Sequence, residues 1–252
     1  MGGAARNERR RRQAAAPPKP AVDRIPGARK DNRVKVGIVV GVVIVVFFVV
    51  AYVVVNRPWG ESPRAAATYP VATDGVVVVA GQPTAPVTVD VYEDYLCPFC
   101  ERLETRSGDD LTAALNEGRV KVNYHALNIL DARTTPPGYS TLAANAALCA
   151  VPAGIWPAYH QRLFAEQPGE GSAGLTAAQL SAIGTELGAG PTFTSCVEGN
   201  GNAAAITAAT EAASADPALQ TDGQFGTPTV AVGGRKIDVS DSDWLATVLA
   251  AG

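Results

Sequence analysis

The stretch Val89-Asp-Val-Tyr-Glu-Asp-Tyr-Leu-Cys-Pro-Phe-Cys100 decides the fold, because it joins a strand pattern to a pair of cysteines. Val87 to Tyr92 alternates apolar and polar residues, which predicts a half-buried strand. Cys97 and Cys100 follow, and Pro98 suits the first position of a helix, where no N–H is needed. Two cysteines at this spacing form a redox couple more often than a structural crosslink.

The helix that is predicted to begin at the pair gives the two cysteines different roles. Disulfide exchange proceeds through attack by a thiolate, and a helix N-terminus favours the thiolate through its unpaired N–H groups and its positive dipole end. We therefore expect Cys97 to be an exposed nucleophile with a lowered pKa. Cys100 is expected to be the buried partner that resolves a mixed disulfide.

A metal site and a structural crosslink are the alternatives for the pair. Structural zinc takes four ligands, but the chain has no second Cys-x-x-Cys pair and only two isolated histidines, His125 and His160. A disulfide across so short a loop adds little stability. We expect neither a metal nor another cofactor, and we expect both histidines to be core or surface residues.

The spacing of apolar residues predicts one α/β domain over residues 74–252. Strands are predicted at Val76–Ala80 and Val120–Leu127, and a helix at Glu101–Asn116, with a break at Ser107-Gly108 as an alternative. An Ala-rich block over about 139–215 is expected to be a helical insertion. Its five segments with helical spacing are Ser140–Val151, Ile155–Phe164, Thr176–Leu187, Thr192–Glu198 and Ala203–Ala213.

The end of the chain has the pattern of a hairpin followed by a helix. Thr229–Val232 and Arg235–Asp238 are short apolar runs joined by Gly233-Gly234, which suits a two-residue turn. A last helix is predicted at Ser242–Ala250, with Ser240 as a cap. The complete order of elements is that of a thioredoxin fold with a helical domain inserted in its middle.

The first 35 residues differ in charge from the rest of the chain. They carry eleven basic and three acidic residues, whereas the remainder carries ten basic and twenty-one acidic ones. Arg9–Arg12 is a basic run, and the Ala- and Pro-rich Ala14–Pro20 follows it. Such a composition cannot bury a core, so residues 1–35 are expected to be a disordered cytoplasmic tail. Binding of nucleic acid by the basic run is an alternative that we do not expect.

Val36–Val55 is an apolar run of twenty residues without a charge. As a helix it would span roughly 30 Å, so it is predicted to be a single transmembrane anchor. Most of the flanking Lys and Arg residues precede it, which predicts a cytoplasmic N-terminus and an extracytoplasmic domain. A cleaved signal peptide that ends near Ala65-Ala66-Ala67 is the alternative. Residues 56–73, which contain three prolines, are expected to form a linker.

Two motifs resemble those of the DsbA-like thiol:disulfide oxidoreductases of the thioredoxin superfamily. Val89 to Cys100 is similar to the active-site segment of that family, and Gly226-Thr-Pro-Thr229 is similar to its cis-proline loop. The resemblance covers about 76–252 and implies that Thr227 and Pro228 pack beside the cysteines and contact client chains. The Ala-, Val- and Gly-rich composition is compatible with the membrane-anchored actinobacterial type.

Two positions depart from the pattern of the best-studied members. Those proteins carry His at the position of Phe99 and a buried carboxylate at the position of Val91. The resemblance therefore implies that this chain is a milder oxidant. Asp90, Glu93 and Asp94 are close by, and we expect them to be solvated or capping carboxylates, with a proton relay as the alternative.

The two remaining cysteines, Cys149 and Cys196, both fall in the helical block. An even number of cysteines in an exported protein implies pairing, so we predict a structural disulfide, with free thiols as the alternative. Similar pairs occur in actinobacterial members of the family that the chain resembles.

The predicted function is that of an extracytoplasmic disulfide oxidase. Its clients would be unfolded or reduced exported proteins, and the resemblance implies reoxidation by a membrane partner similar to vitamin K epoxide reductase. The alternatives are a reductase or isomerase and a binding domain that kept the fold without turnover. No residue decides the direction of transfer, because direction depends on the reduction potential.

Overall fold

The computed structural model describes residues 66–251, which form one sheet with helices around it. The six strands lie in the order β1-β2-β4-β3-β5-β6. β3 and β4 are parallel, and all other neighbouring strands are antiparallel. The strands are β1 (Val71–Asp74), β2 (Val77–Ala80), β3 (Val87–Glu93), β4 (Val120–Ala126), β5 (Thr229–Val232) and β6 (Arg235–Ile237).

Seven α-helices occur in residues 66–251, and five of them lie between β4 and β5 in the chain. They are α1 (Pro98–Asn116), α2 (Tyr139–Ala150), α3 (Trp156–Ala165), α4 (Ala177–Glu186), α5 (Pro191–Gly199), α6 (Ala203–Ala215) and α7 (Trp244–Ala251). Short 3-10 turns cover Asp131–Arg133 and Pro217–Leu219. The predicted α/β thioredoxin fold with a helical insertion is confirmed for this part of the chain.

The two central strands bury alternate residues on one face, as their sequence pattern predicts. Val87, Val89 and Val91 of β3 are buried, and the intervening residues are half-buried. The register pairs Val89 with Val122 and Glu93 with Ala126. Because side chains alternate along a strand, Glu93 points into the same core as the three valines.

Helix α1 is continuous, so the alternative break at Ser107-Gly108 is wrong. Both residues are buried within the continuous helix. The Trp244 Nε1–H group donates a hydrogen bond to Ser107 Oγ over 3.1 Å. The small residues therefore bring the indole close to α1, and they do not interrupt the helix.

The strand β1 begins inside the segment that was predicted to be a linker. Val71 pairs with Ala80 and Asp74 pairs with Val77, across a turn in which Gly75 has φ +58°. This short edge strand is mostly exposed and carries little apolar pattern, which is why the composition around it indicated a tether. The hairpin at Gly233-Gly234 was predicted, and both glycines have positive φ, as a type I′ turn requires.

The predicted N-terminal elements lie outside the described residues. They are the tail 1–35, the anchor Val36–Val55 and most of the linker 56–73. Within residues 66–251, no helix combines the length and the apolar character that crossing a bilayer would require.

Candidate active site

The cysteine pair lies at the junction between β3 and α1. After Glu93, a turn closes with a hydrogen bond from the Cys97 N–H to the Asp94 carbonyl oxygen over 2.9 Å. Cys97 is the N-cap of α1, with extended backbone, and Pro98 is the first helical residue. The Cys100 N–H donates to the Cys97 carbonyl oxygen over 3.0 Å, so both sulfurs belong to the first turn of the helix.

Cys97 is prepared to react as a thiolate. A hydrogen bond with the Cys100 thiol is the largest cause that lowers the pKa of Cys97, and burial opposes it. Hydrogen bonds with the Thr227 side chain and the N–H groups of Cys100 and Phe99 also favour the thiolate, and the pKa of Cys97 falls to about 6. The lowered pKa agrees with the expectation from the helix N-terminus.

The expectation of an exposed Cys97 is wrong, because only 3% of the residue is accessible to solvent. The loop before β5 packs against it, and Cys97 Sγ lies 3.2 Å from the Thr227 carbonyl oxygen. Thr227-Pro228 is a cis peptide. The structure thus places Thr227 and Pro228 directly beside the cysteine pair.

Cys100 differs strongly from Cys97, although it is three residues away. Burial raises the pKa of Cys100 well above its ordinary value, and the nearby Cys97 sulfur adds to the effect. Neither cysteine is disulfide-bonded in this structure. The pair therefore combines one acidic thiol with one that holds its proton firmly, which suits a nucleophile and a resolving cysteine.

Asp94 is fully buried, so the expectation of a solvated carboxylate is wrong for this residue. One of its oxygens accepts a hydrogen bond from the Leu96 N–H and the other from the Leu130 N–H, each over 2.9 Å. The capping alternative is closer to its role, because the first contact holds the turn before Cys97. Burial raises the pKa of Asp94 to about 7, against hydrogen bonds that favour the anion.

Gln167 holds the same turn from the helical insertion. Its Nε2 group donates to the Tyr95 carbonyl oxygen over 3.0 Å and to the Cys97 carbonyl oxygen over 3.1 Å. Asp94 binds the N–H and Gln167 binds the C=O of one peptide group, the one between Tyr95 and Leu96. Two side chains from different parts of the chain therefore fix the turn that presents Cys97.

A cluster of buried Glu93, buried His160 and partly buried Glu104 lies beside Cys100. His160 Nε2 is 2.9 Å from Glu93 Oε1, and His160 Nδ1 is 3.9 Å from Glu104 Oε1. Both glutamates and Cys100 line a cavity of about 10 Å³, which is room for about one water molecule. The expectation of a solvated carboxylate is thus wrong for Glu93 as well. His160 is buried, in agreement with the expectation of a core or surface histidine.

Four aromatic rings surround His160, which explains how a polar cluster fits into this core. The ring centroids of Trp156, Tyr124, Phe164 and Tyr95 lie 4.8, 5.0, 5.2 and 5.8 Å from that of His160. Apolar walls of this kind lower the local dielectric constant, which strengthens the hydrogen bond between the His160 ring and Glu93.

The second histidine lies on the other face of the sheet. His125 Nε2 is 3.0 Å from Asp90 Oδ1, and both side chains are about one-fifth exposed. The hydrogen bond with His125 is the largest cause that lowers the pKa of Asp90. Tyr92 stacks on the His125 ring with a centroid separation of 4.2 Å. This half-buried pair is part of the sheet surface and does not face the cysteines.

Cys149 and Cys196 form a disulfide that joins α2 to α5. It lies within the helical block and is separate from the Cys97–Cys100 pair. Beside it, Asn145 Nδ2 donates to the Cys196 carbonyl oxygen over 3.3 Å. Within residues 66–251, no group of three or more His, Cys, Asp and Glu side chains could hold a metal ion.

Sequence reasoning missed the burial of Glu93, the second contact of Asp94 and the whole contribution of Gln167. The burial of Glu93 was contained in the alternation of β3, since Glu93 has the parity of Val87 and Val89. The second oxygen of Asp94 contacts Leu130, and no local signal indicates that contact. Gln167 follows the end of α3 without any pattern that would single it out.

Comparison with known proteins places this site in a family. The family model described as Thioredoxin matches residues 73–250. The serine/threonine-protein kinase PknE of Mycobacterium tuberculosis is 30% identical over 214 residues, which are 78% of this chain and 37% of the kinase. The chain therefore spans little more than a third of the length of the curated relatives that it matches.

Solved structures share the fold of the described domain. MdbA, a thiol-disulfide oxidoreductase from Corynebacterium diphtheriae, has a TM-score of 0.62 and 23% identity, over 77% of this chain and 100% of that one. Oxidised DsbA from Mycobacterium tuberculosis has a TM-score of 0.59 and 25% identity, over 73% and 91%. DsbG from the same organism has a TM-score of 0.58 and 25% identity, over 75% and 88%. The chain belongs to the thioredoxin family, and its fold and its cysteine pair are similar to those of DsbA-like thiol-disulfide oxidoreductases.

Proposed function

We propose that this oxidoreductase works as an oxidase, which gives the Cys97–Cys100 disulfide to reduced proteins outside the cytoplasm. The observation that carries the proposal is the difference between the two cysteines. The pKa of Cys97 is lowered to about 6, so near neutral pH the released Cys97 is mainly a thiolate. A stabilised thiolate favours the reduced pair, and a pair that favours reduction is a good donor of its disulfide.

The exchange proceeds in two steps that balance in atoms and electrons. A client thiolate attacks Cys97 Sγ, so a client–Cys97 disulfide forms while the Cys97–Cys100 bond breaks and Cys100 leaves with the electron pair. Cys100 takes up a proton, in keeping with its raised pKa. A second client thiolate then attacks the client sulfur of the mixed disulfide, and Cys97 leaves as a thiolate. The client loses two electrons, and the pair gains them.

The reduced pair must then pass its electrons to an oxidant. We propose a membrane-bound reoxidase similar to vitamin K epoxide reductase, as the family resemblance implies. The apolar run Val36–Val55 supports the same setting, because a single membrane anchor would hold the domain near such a partner. Protease treatment of intact cells tests the location: an extracytoplasmic domain is cleaved, whereas protection of the domain would contradict it.

Trapping of clients tests the exchange chemistry itself. In Cys100→Ser, the Cys97 thiolate can attack a disulfide of an exported protein, which forms a mixed disulfide and releases the second client sulfur as a thiolate. Cys100 is no longer present to displace the client from Cys97, so adducts should accumulate and should disappear on reduction. Cys97→Ser is the matched control and should trap nothing. Absence of adducts from Cys100→Ser would contradict thiol exchange and would favour a binding domain without turnover.

The redox state of the pair in cells decides the direction of transfer. An oxidase keeps Cys97 and Cys100 mainly as a disulfide between turnovers, whereas a reductase or isomerase keeps them as thiols. Acid quenching followed by thiol alkylation separates the two states by mass. A mainly reduced pair would overturn the oxidase proposal and leave the exchange chemistry intact.

A further inference from the structure

Phe99 is the large apolar side chain that residues 66–251 leave exposed. It lies between the cysteines and is 61% exposed, whereas Cys97 and Cys100 are only 3% and 2% exposed. No other large apolar side chain of the described residues is exposed to this degree. The rim of the site therefore carries an exposed aromatic side chain two residues from the reactive sulfur.

Arg102 covers one face of the Phe99 ring. Its guanidinium carbon lies 4.2 Å from the ring centroid, which is the geometry of a cation–π contact. No carboxylate of the described residues forms an ion pair with Arg102, and the Glu101 carboxylate accepts a hydrogen bond from Thr105 instead. The rim of the site thus combines an exposed ring with a cation that has no carboxylate partner in this part of the chain.

Thr227 restricts the approach of a partner chain to Cys97. The Thr227 carbonyl oxygen lies 3.2 Å from Cys97 Sγ and covers one side of the sulfur. Phe99 and Arg102 belong to the first two turns of α1, the helix that begins at Cys97, so a chain that places its sulfur on Cys97 comes close to both side chains. Residues close to the partner's cysteine therefore meet an aromatic surface and a positive charge.

Resting on the proposed function, we infer that Phe99 and Arg102 form a specificity surface for extended polypeptide segments that carry an acidic residue close to the reactive cysteine. The carboxylate pairs with the Arg102 guanidinium, and the segment packs on the open face of Phe99. Opposite charge also accelerates the encounter, most strongly at low ionic strength. The sulfur chemistry itself is unchanged, and the surface selects which thiols reach it.

Two dithiol peptides that differ only in Glu or Lys next to the first cysteine test this inference. The measured quantity is the second-order rate constant for their oxidation by the disulfide form of the protein. The wild-type protein should prefer the Glu peptide, and Arg102→Glu should prefer the Lys peptide. An exposed ion pair is worth ~0.2–1 kcal/mol, so the ratio of the two rate constants should differ by about 1.4- to fivefold between the wild-type protein and Arg102→Glu.

Arg119→Glu is the matched control, because it makes the same charge change just beyond the C-terminal end of α1. Arg119 is half-exposed and pairs with Glu117. This variant should keep the wild-type preference, and 0.5 M salt should bring the rate ratios of the three proteins close together. The two peptides differ in the intrinsic reactivity of their thiols. This difference is the same for every protein variant, so it cancels when the rate ratios of the variants are compared.

The possible results distinguish failure of the specificity surface from failure of the exchange function. Equal effects of Arg102→Glu and Arg119→Glu would overturn the surface, and so would unchanged ratios in Arg102→Glu. Oxidation of both peptides would still support the exchange function in that case. Failure of the wild-type protein to oxidise either peptide would overturn the proposed function and, with it, this inference.

Discussion

Cys97 and Thr227 lie 130 positions apart in the chain, yet Cys97 Sγ lies 3.2 Å from the Thr227 carbonyl oxygen. The contact joins the start of α1 to the loop before β5, and the Thr227 side chain contributes to the low pKa of Cys97. The two residues therefore act together on the reactive sulfur.

Thr227→Val should raise the pKa of Cys97 above its value of about 6, because it removes the hydroxyl that favours the thiolate. A hydrogen bond worth ~0.5–1.5 kcal/mol corresponds to an increase of about half to one pH unit. Thiolate absorbance at 240 nm across pH measures the midpoint. Thr105→Val, at an exposed position of α1, should leave it unchanged. Equal midpoints in the wild-type protein and Thr227→Val would contradict the assignment.

Asp94 should make the oxidised protein less stable as pH rises from about 4 to 7. Burial raises the pKa of Asp94 from 3.8 to about 7, so the folded state binds this proton more tightly than the unfolded state. Ionisation therefore costs folding free energy over this interval, on the order of 4 kcal/mol. Urea unfolding at several pH values should show a flatter dependence for Asp94→Asn, whereas Asp74→Asn should follow the wild-type curve. Parallel curves for Asp94→Asn would refute the prediction.

His160→Leu should destabilise the protein, since it removes the ring nitrogen that lies 2.9 Å from the buried Glu93 carboxylate. Leaving a buried carboxylate without this hydrogen bond costs at least ~1–3 kcal/mol. His125→Leu is the control, because the His125–Asp90 pair is partly exposed and should cost less than about 1 kcal/mol. Denaturant unfolding of both variants measures the difference. Similar losses in the two variants would show that the buried cluster carries no special stability.

Gln167→Met should loosen the turn in front of Cys97, because the thioether cannot donate to the Tyr95 and Cys97 carbonyl oxygens. Two lost hydrogen bonds cost ~1–3 kcal/mol of folding free energy. The alkylation rate of Cys97 at fixed pH should also change, since the turn aims the N–H groups that favour the thiolate. Gln161→Met, at a half-buried position of α3, should alter neither quantity. A stability loss without any change in Cys97 reactivity would mean that Gln167 has a structural role only.

Local patterns were sufficient for most of the fold. Alternation predicted β3 and β4, and Pro98 marked the start of α1, because both signals act over a few residues. The burial of Glu93 also follows from the alternation of β3, but its charge favoured a solvated position until the structure showed His160 opposite it. A carboxylate is buried only with a partner, and a partner 67 positions away leaves no trace in the local pattern.

Long-range contacts account for the rest of the site. The Thr227 loop could be assigned through family resemblance, whereas Gln167 reaches Cys97 across 70 positions and belongs to no motif. The exposure of Cys97 was overestimated for the same reason, because helix position alone does not include the loop that covers the sulfur. Contacts of this kind depend on how the helical insertion folds back on the first turn of α1.

The disulfide between Cys149 and Cys196 gives this protein a requirement of its own. Each new copy must lose two electrons and two protons from these thiols before α2 and α5 are joined as described. Maturation of the protein thus consumes the same kind of reaction that its mature form is proposed to supply. Either previously oxidised copies of the protein or a separate oxidant must therefore form the Cys149–Cys196 disulfide in newly made copies.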